Sequence, residues 1–206
     1  MNESLKLLSD LTYYMKYSKY MPDKKRRETW EETIERNKQM HLAKYPQVAD
    51  KIERAYQLVL EKKILPSMRS MQFGGDGINR NNARMYNCSA IGIDKLDAFS
   101  DLFYLLLCGT GVGFSVRRNF VEKLPPLVAR SGNKTTFKPE DSIEGWADCT
   151  RALFKAYFET GDDIEFDLSA IRPKGALIKS SMCAAPGPEP SAKTLNNLKK
   201  LLDRKI

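Results

Sequence analysis

The sequence predicts an α/β protein fronted by a helical region, and three neighbouring observations carry that expectation. The first is the stretch 83–94, Ala83-Arg84-Met85-Tyr86-Asn87-Cys88-Ser89-Ala90-Ile91-Gly92-Ile93-Asp94, one cysteine in a short apolar run, entered through a loop rich in Gly and Asn. The second is an amphipathic run from 95 to about 108, striped by Leu96, Phe99, Leu102, Phe103 and Leu106 at helical spacing. The third is Gly109-Thr110-Gly111-Val112-Gly113-Phe114-Ser115-Val116, a glycine turn leading into a second strand. Strand, helix, turn and strand in that order form one unit of an α/β fold.

The elements before this unit are helical. Leu5, Leu8, Leu11, Thr12 and Met15 share one face of a first helix, and Pro22 with the basic cluster after it breaks the pattern. Thr29 and Glu32 have the spacing of a capping box, in which the threonine oxygen takes one free amide and the glutamate reaches back for another. After Pro46, a third helix is striped by Val48, Ile52, Ala55, Tyr56 and Val59. His41 reads as a surface or packing residue. Residues 64–75 are short and glycine-terminated, and they read as an extended segment entering a turn.

Asp94 stands where it would cap the helix over 95–108. Residues 117–140 read as an irregular surface insertion. Asp141, with Glu144 three residues on, signals a helix whose buried face is Trp146, Thr150, Leu153 and Tyr157 and whose end is Gly161. Ile164-Glu165-Phe166-Asp167-Leu168 alternates like a strand, and 191 to about 203 is a last helix striped by Leu195, Leu198, Leu201 and Leu202. Arg172, Lys174 and Lys179 lie in Gly- and Pro-rich sequence that suits either a phosphate loop or a solvated connection.

Composition narrows the function classes. Of 206 residues, 42% are hydrophobic and 29% charged, as in a soluble globular protein. The longest apolar run, 102–108, is too short to span a bilayer, and the N-terminus lacks a signal-peptide pattern, so a cytoplasmic protein is expected. The net charge is +8, but Lys and Arg are mixed with Glu and Asp along helices, which describes solvated faces and no nucleic-acid or membrane partner. Four cysteines without a CxxC and a single histidine argue against a zinc site and for reduced thiols, with Cys108 and Cys149 inside helices. The glycines at 109, 111 and 113 are not a dinucleotide fingerprint, because the order is helix, glycines, strand. They permit a tight turn, or the close approach of a substrate.

Six blocks in order carry a resemblance: Arg27-Glu28-Thr29-Trp30-Glu31-Glu32, Pro66-Ser67-Met68-Arg69-Ser70-Met71-Gln72-Phe73-Gly74-Gly75, Asn82-Ala83-Arg84-Met85-Tyr86-Asn87-Cys88, residues 108–116, Gly145-Trp146-Ala147-Asp148, and Ile171-Arg172-Pro173-Lys174-Gly175-Ala176. Together they resemble the monomeric, adenosylcobalamin-dependent ribonucleoside-triphosphate reductases, the class II ribonucleotide reductases. The resemblance implies residues 1–65 as an N-terminal helical region and 66–206 as the first half of a ten-stranded α/β barrel. It implies reduction of ribonucleoside tri- or diphosphates to deoxyribonucleotides by radical chemistry, with Cys88 as one of the reducing cysteine pair.

By the same resemblance, Met68, Asn87 and Gly111 would contact substrate, and Asp94, Lys95 and Leu96 would form the specificity-effector site. No protein metal ligand is implied. The loop 172–188 would link effector to substrate base, although Ser180-Ser181-Met182-Cys183-Ala184-Ala185 stands where the family has a glycine-rich run. The radical cysteine, the second reducing cysteine and most contacts to adenosylcobalamin would lie beyond residue 206. The expected partners are therefore a polypeptide carrying the C-terminal half, a ribonucleotide, a deoxynucleotide effector and a dithiol reductant such as thioredoxin. A split reductase, inactive as this chain alone, is the leading expectation. A non-catalytic nucleotide-binding module and an inert remnant are the alternatives.

Overall fold

The structure is a computed structural model and describes residues 2–178 and 183–206. They form two compact units that divide between Tyr86 and Asn87.

The N-terminal unit is helical. Helix α1 (Glu3–Lys16) starts at Asn2, whose side chain accepts from the Ser4 amide. The apolar stripe read for this helix is there, but Leu5, Leu8, Leu11 and Met15 are exposed, and α1 buries Tyr13 instead. At Pro22 the chain turns through a two-stranded antiparallel hairpin, β1 (Tyr20–Met21) and β2 (Arg26–Arg27). Helix α2 (Trp30–Lys44) opens on the expected capping box: Thr29 Oγ1 accepts from the Glu32 amide, and Glu32 Oε2 accepts from the Thr29 amide at 2.9 Å. A 3-10 turn at Pro46–Val48 leads into α3 (Ala49–Leu60). Ile34, Tyr56, Val59 and Met71 form the core, with Tyr17, Trp30 and Ile52 against it.

The segment read as extended is helical. Helix α4 (Met68–Phe73) is capped by Ser67, whose hydroxyl accepts from the Ser70 amide at 3.1 Å. Helix α5 (Asp76–Arg80) and a 3-10 turn at Asn82–Met85 follow. Six residues do not hold a helix in water by themselves, so the reason lies in packing. Met71 enters the core, and the Arg69 and Arg84 guanidiniums each stand 5.6 Å from the centre of the Phe73 ring.

A buried carboxylate joins these helices. Glu28 is 6% exposed and accepts from Arg36 Nε at 2.7 Å, Arg36 Nη2 at 2.9 Å, Thr33 Oγ1 at 2.9 Å and the Lys19 amide at 3.1 Å. Burial by itself would raise its pKa, but the Arg36 hydrogen bonds and charge, with those from Lys19 and Thr33, more than offset this and hold it below the ordinary carboxylate value.

The second unit is α/β. Strand β3 (Cys88–Gly92), helix α6 (Asp97–Leu107) and strand β4 (Gly111–Ser115) make the expected unit, with the strands parallel. Asp94 does not cap α6: the helix begins behind Leu96 without a side-chain cap, and the Asp94 carboxylate lies 3.8 Å from Lys123 Nζ. The stretch read as an irregular insertion holds α7 (Arg118–Val121) and β5 (Lys134–Phe137). Strand β5 pairs in parallel with β6 (Asp163–Phe166), so Lys134-Thr135-Thr136-Phe137 is a strand whose polarity hid it.

Between β5 and β6 run α8 (Ile143–Lys155) and a π turn (Ala156–Thr160). The cap of α8 is Ser142, which accepts from the Gly145 amide at 2.9 Å, while Asp141 accepts from Arg172 Nε at 2.6 Å. Gly161 ends the π turn, as expected, at φ +74°. A short antiparallel pair, β7 (Leu177–Ile178) and β8 (Cys183–Ala184), precedes α9 (Glu189–Asp203). Cys149, Leu153, Ala156, Tyr157, Ile164 and Leu195 form the core, and the stacked rings of Phe99 and Phe154 join α6 to α8. Among the described residues the strands pair only in twos.

Two predictions follow from this packing. Because the Glu28 carboxyl titrates lower in the folded than in the unfolded chain, the stability it contributes is present above the ordinary carboxylate pKa and is lost as pH falls through its depressed value. Glu28→Gln should therefore flatten the acid limb of a urea-midpoint-against-pH profile; an unchanged limb would show that Glu28 does not set it. At Gly161, a Cβ would meet Ala129 O at 2.3 Å on top of the positive φ, whereas at Gly132 (φ +82°) it would meet nothing within 4 Å. Gly161→Ala should cost about 2 kcal/mol or more and Gly132→Ala roughly 1 kcal/mol in urea denaturation; equal costs would contradict the packing described.

Candidate functional site

Strands β3 and β4 bring three of the sequence-predicted residues together. Their register pairs Cys88 with Gly111, Ser89 with Val112 and Ala90 with Gly113. The ladder opens one residue earlier, where the Gly111 amide donates to Asn87 O at 2.9 Å, and continues to the Ile93 amide, which donates to Ser115 O at 3.0 Å. Asn87, Cys88 and Gly111 thus occupy the same end of the strand pair, and all are exposed.

The glycines divide the two roles considered for them. Gly109, at φ +88°, ends α6: its amide donates to Leu106 O at 3.0 Å and the Thr110 amide to Leu105 O at 3.1 Å, which closes the helix in a Schellman turn. Gly111 and Gly113 lie inside β4, and a Cβ there would make only ordinary contacts, at 3.5 Å to Asn87 O and 3.9 Å to Ser89 O. The chain's own packing does not require these two glycines. They leave the backbone opposite Cys88 and Ala90 without side chains.

The thiols are sorted by burial. Cys88 is exposed, while Cys108 and Cys149 are buried. Burial pushes the Cys149 thiol up to about 12, with Asp148 adding to the shift, so it stays protonated and inert.

Asp94, Lys95 and Leu96 follow the far end of β3, which runs roughly 13 Å from Cys88 to Gly92 at the usual rise per residue, and lead into α6. Lys95 Nζ stands 4.0 Å from the Asp101 carboxylate. Met68 belongs to the N-terminal unit, where it is the first residue of α4 and 45% exposed. Sequence reasoning missed that helix, although Ser67 before a run of good helix formers was its signal. In the loop 172–188, Arg172 is committed to Asp141 through two hydrogen bonds. Lys179 and Ser180-Ser181-Met182, and with them the departure from a glycine-rich run, lie outside the described residues.

His41 packs against Tyr56, ring centres 6.0 Å apart, and burial with the nearby Lys44 lowers its pKa. Among the described residues no three His, Cys, Asp or Glu side chains converge on one point. The apolar groove between α6, α8 and α9, lined by Phe99, Leu102, Trp146 and Phe154, encloses about 210 Å³. That is below the ~300–1,000 Å³ usual for small-molecule sites. That groove is too small to take a cobalamin. No helix among them is long and apolar enough to cross a membrane.

If exposure controls reactivity, iodoacetamide at pH 8 followed by peptide mass spectrometry should modify Cys88 first and leave Cys108 and Cys149 protected until denaturant is added. Modification of Cys149 in step with Cys88 would contradict the burial described.

No protein-family model matches the chain. Among curated proteins it is 29% identical, over 95% of its length, to a putative adenosylcobalamin-dependent ribonucleoside-triphosphate reductase of Mycobacterium phage D29. It is 26% identical, over the same share, to the adenosylcobalamin-dependent ribonucleoside-triphosphate reductase of Lactobacillus leichmannii. It spans 33% and 36% of those two proteins, about a third of the length of the curated relatives it matches. The crystal structure of a B12-dependent (class II) ribonucleotide reductase superposes with a TM-score of 0.84 at 24% identity, over 95% of this chain and 37% of that one. The relatives of this chain are thus adenosylcobalamin-dependent ribonucleoside-triphosphate reductases, and its fold is that of part of a class II ribonucleotide reductase.

Proposed function

We propose that this chain supplies the N-terminal part of a ribonucleotide reductase active site, with Cys88 as one of its two reducing cysteines. The observation that carries this reading is the exposed Cys88 thiol in register with Gly111, a residue without a side chain, in a chain whose relatives are reductases. In the reaction, two thiols give up two electrons and two protons and join as a disulfide. The ribose 2′-hydroxyl leaves as water, and hydrogen takes its place. A dithiol such as thioredoxin then returns the pair to thiols by exchange. Cys88 suits this because it sits on a hydrogen-bonded strand, which fixes its direction, and is open to a substrate.

In this reading Met68, Asn87 and Gly111 receive the ribonucleotide, a tri- or diphosphate. Asp94, Lys95 and Leu96, past the far end of β3, receive a deoxynucleotide effector. Residues 66–206 would form the first half-barrel, after the helical region of 1–65. The second reducing cysteine, the radical cysteine and most of the cobalamin contacts are assigned to polypeptide outside this chain, which also covers the open edges of β3 and β4. Exposed Phe114 and Val116 support a partner there.

The test is co-expression with the polypeptide encoded beside it, co-purification, and an assay of deoxynucleotide formation with and without adenosylcobalamin and a dithiol. Turnover is expected from the pair and from neither chain alone, and Cys88→Ser should abolish it while assembly survives. Full turnover by Cys88→Ser would overturn the role of Cys88. A stable monomer that binds deoxynucleotides and gains no activity with any partner would favour a regulatory module.

A further inference from the structure

We propose that Arg36, held by Glu28, acts with Lys19 and Asn37 as a positioning clamp that fixes α4 and so places Met68 for the substrate. The inference rests on the reductase reading, which assigns Met68 to the nucleotide.

The geometry begins with the unpaired carbonyls at the C-terminal end of a helix. In α4, Met71 O and Gly74 O are met from outside the helix by side chains of α2 and of the segment before it, and Ser70 O, which accepts from the Gly74 amide at 2.8 Å, takes a further hydrogen bond from Asn37. Arg36 Nη1 donates to Gly74 O at 2.8 Å and Arg36 Nη2 to Met71 O at 3.1 Å. Lys19 Nζ donates to the same Gly74 O at 2.9 Å. Asn37 Nδ2 donates to Ser70 O at 2.6 Å and to Ser70 Oγ at 2.9 Å, while its own carbonyl accepts from the Tyr56 hydroxyl. Asn37 is wholly buried.

Two further features show that the fit is close. The Glu28 carboxylate grips Arg36 through two nitrogens, so the guanidinium plane has one orientation and its remaining N–H groups point at α4. At Gly74 a Cβ would fall 2.5 Å from Asn37 Nδ2 and 2.6 Å from Ser70 O, so the clamp closes only on a glycine. The C-terminal end of α4 is thus held by three side chains, whereas its N-terminal end presents Met68 half-exposed behind the Ser67 cap. Helix hydrogen bonds tie the two ends together: the Gly74 amide donates to Ser70 O at 2.8 Å and the Met71 amide to Ser67 O at 3.1 Å, beside Met68. A shift at Gly74 is therefore delivered to Met68.

A network that served stability alone would show a different response to substitution. The test uses the full chain, alone and with its partner polypeptide, in two variants. Arg36→Lys keeps the charge and loses the fork, and Lys19→Met leaves the Glu28–Arg36 pair intact should the first variant fold poorly. In the chain alone, amide hydrogen exchange over 71–75 should speed up roughly tenfold in either variant while exchange in α3 stays unchanged. In the reconstituted enzyme, the nucleotide KM should rise roughly tenfold with kcat within about twofold, as for lost ground-state binding.

An unchanged KM in both variants would overturn the clamp, whatever the thermal midpoint does, and so would unchanged exchange over 71–75. Absence of turnover in the wild-type pair is a separate outcome. It would defeat the reductase reading and the substrate role of α4 with it.

Discussion

The placement of Cys88 depends on one backbone constraint, the parallel pairing of β3 with β4. Parallel neighbours cannot be joined by a tight turn, so the chain must cross over between them, and α6 makes the crossing. The stack of Phe99 on Phe154 and the bridge from Arg151 to Asp97 and Asp148 hold that helix on α8. Gly109 then ends it where β4 must begin. A slip of one residue would turn every side chain of β3 to the opposite face, and Cys88 would lose its place opposite a bare glycine.

The cysteines show how one fold assigns different chemistry to the same side chain. Cys149 lies in the core of the second unit, among Leu153, Tyr157 and Ile164, where burial disfavours a thiolate. Cys108 closes α6 and is buried as well. Cys88, at the head of a strand, has neither constraint. Backbone position, and not the cysteine itself, decides which of these thiols is exposed.

Much of this was legible in the sequence because it rests on local rules. The capping box at Thr29 and Glu32, the βαβ order around Cys88, and the stop at Gly161 each need only neighbours a few residues away. Three features were hidden for a common reason, which is that distant partners decide them. Helix α4 forms because Arg36, Asn37 and Lys19 satisfy its carbonyls across more than thirty residues of sequence. Strand β5 is polar and exposed along most of its length, and only its pairing with β6 makes it a strand. Asp94 and Asp141 looked like helix caps, but Asp94 lies beside Lys123 and Asp141 pairs with Arg172, and α8 is capped by Ser142 instead. Of the candidate site residues, Cys88, Asn87 and Gly111 were named through the resemblance, and β3 and β4 set them at one end, while the contacts that hold α4 come from residues distant in sequence.

The contacts at the end of α4 also have a direction in time. Lys19, Arg36 and Asn37 all precede Ser70, Met71 and Gly74 in the chain. On a ribosome the groups that will grip this helix are therefore made before the helix itself, and it can dock as soon as it emerges. Strand β3 has the opposite schedule. Its ladder partner is made later, so Cys88 leaves the ribosome on an unpaired strand and waits through the synthesis of α6 for β4. The nascent chain thus completes its scaffold before its reactive edge, an order that shortens the time the thiol spends on a chain with nothing folded behind it.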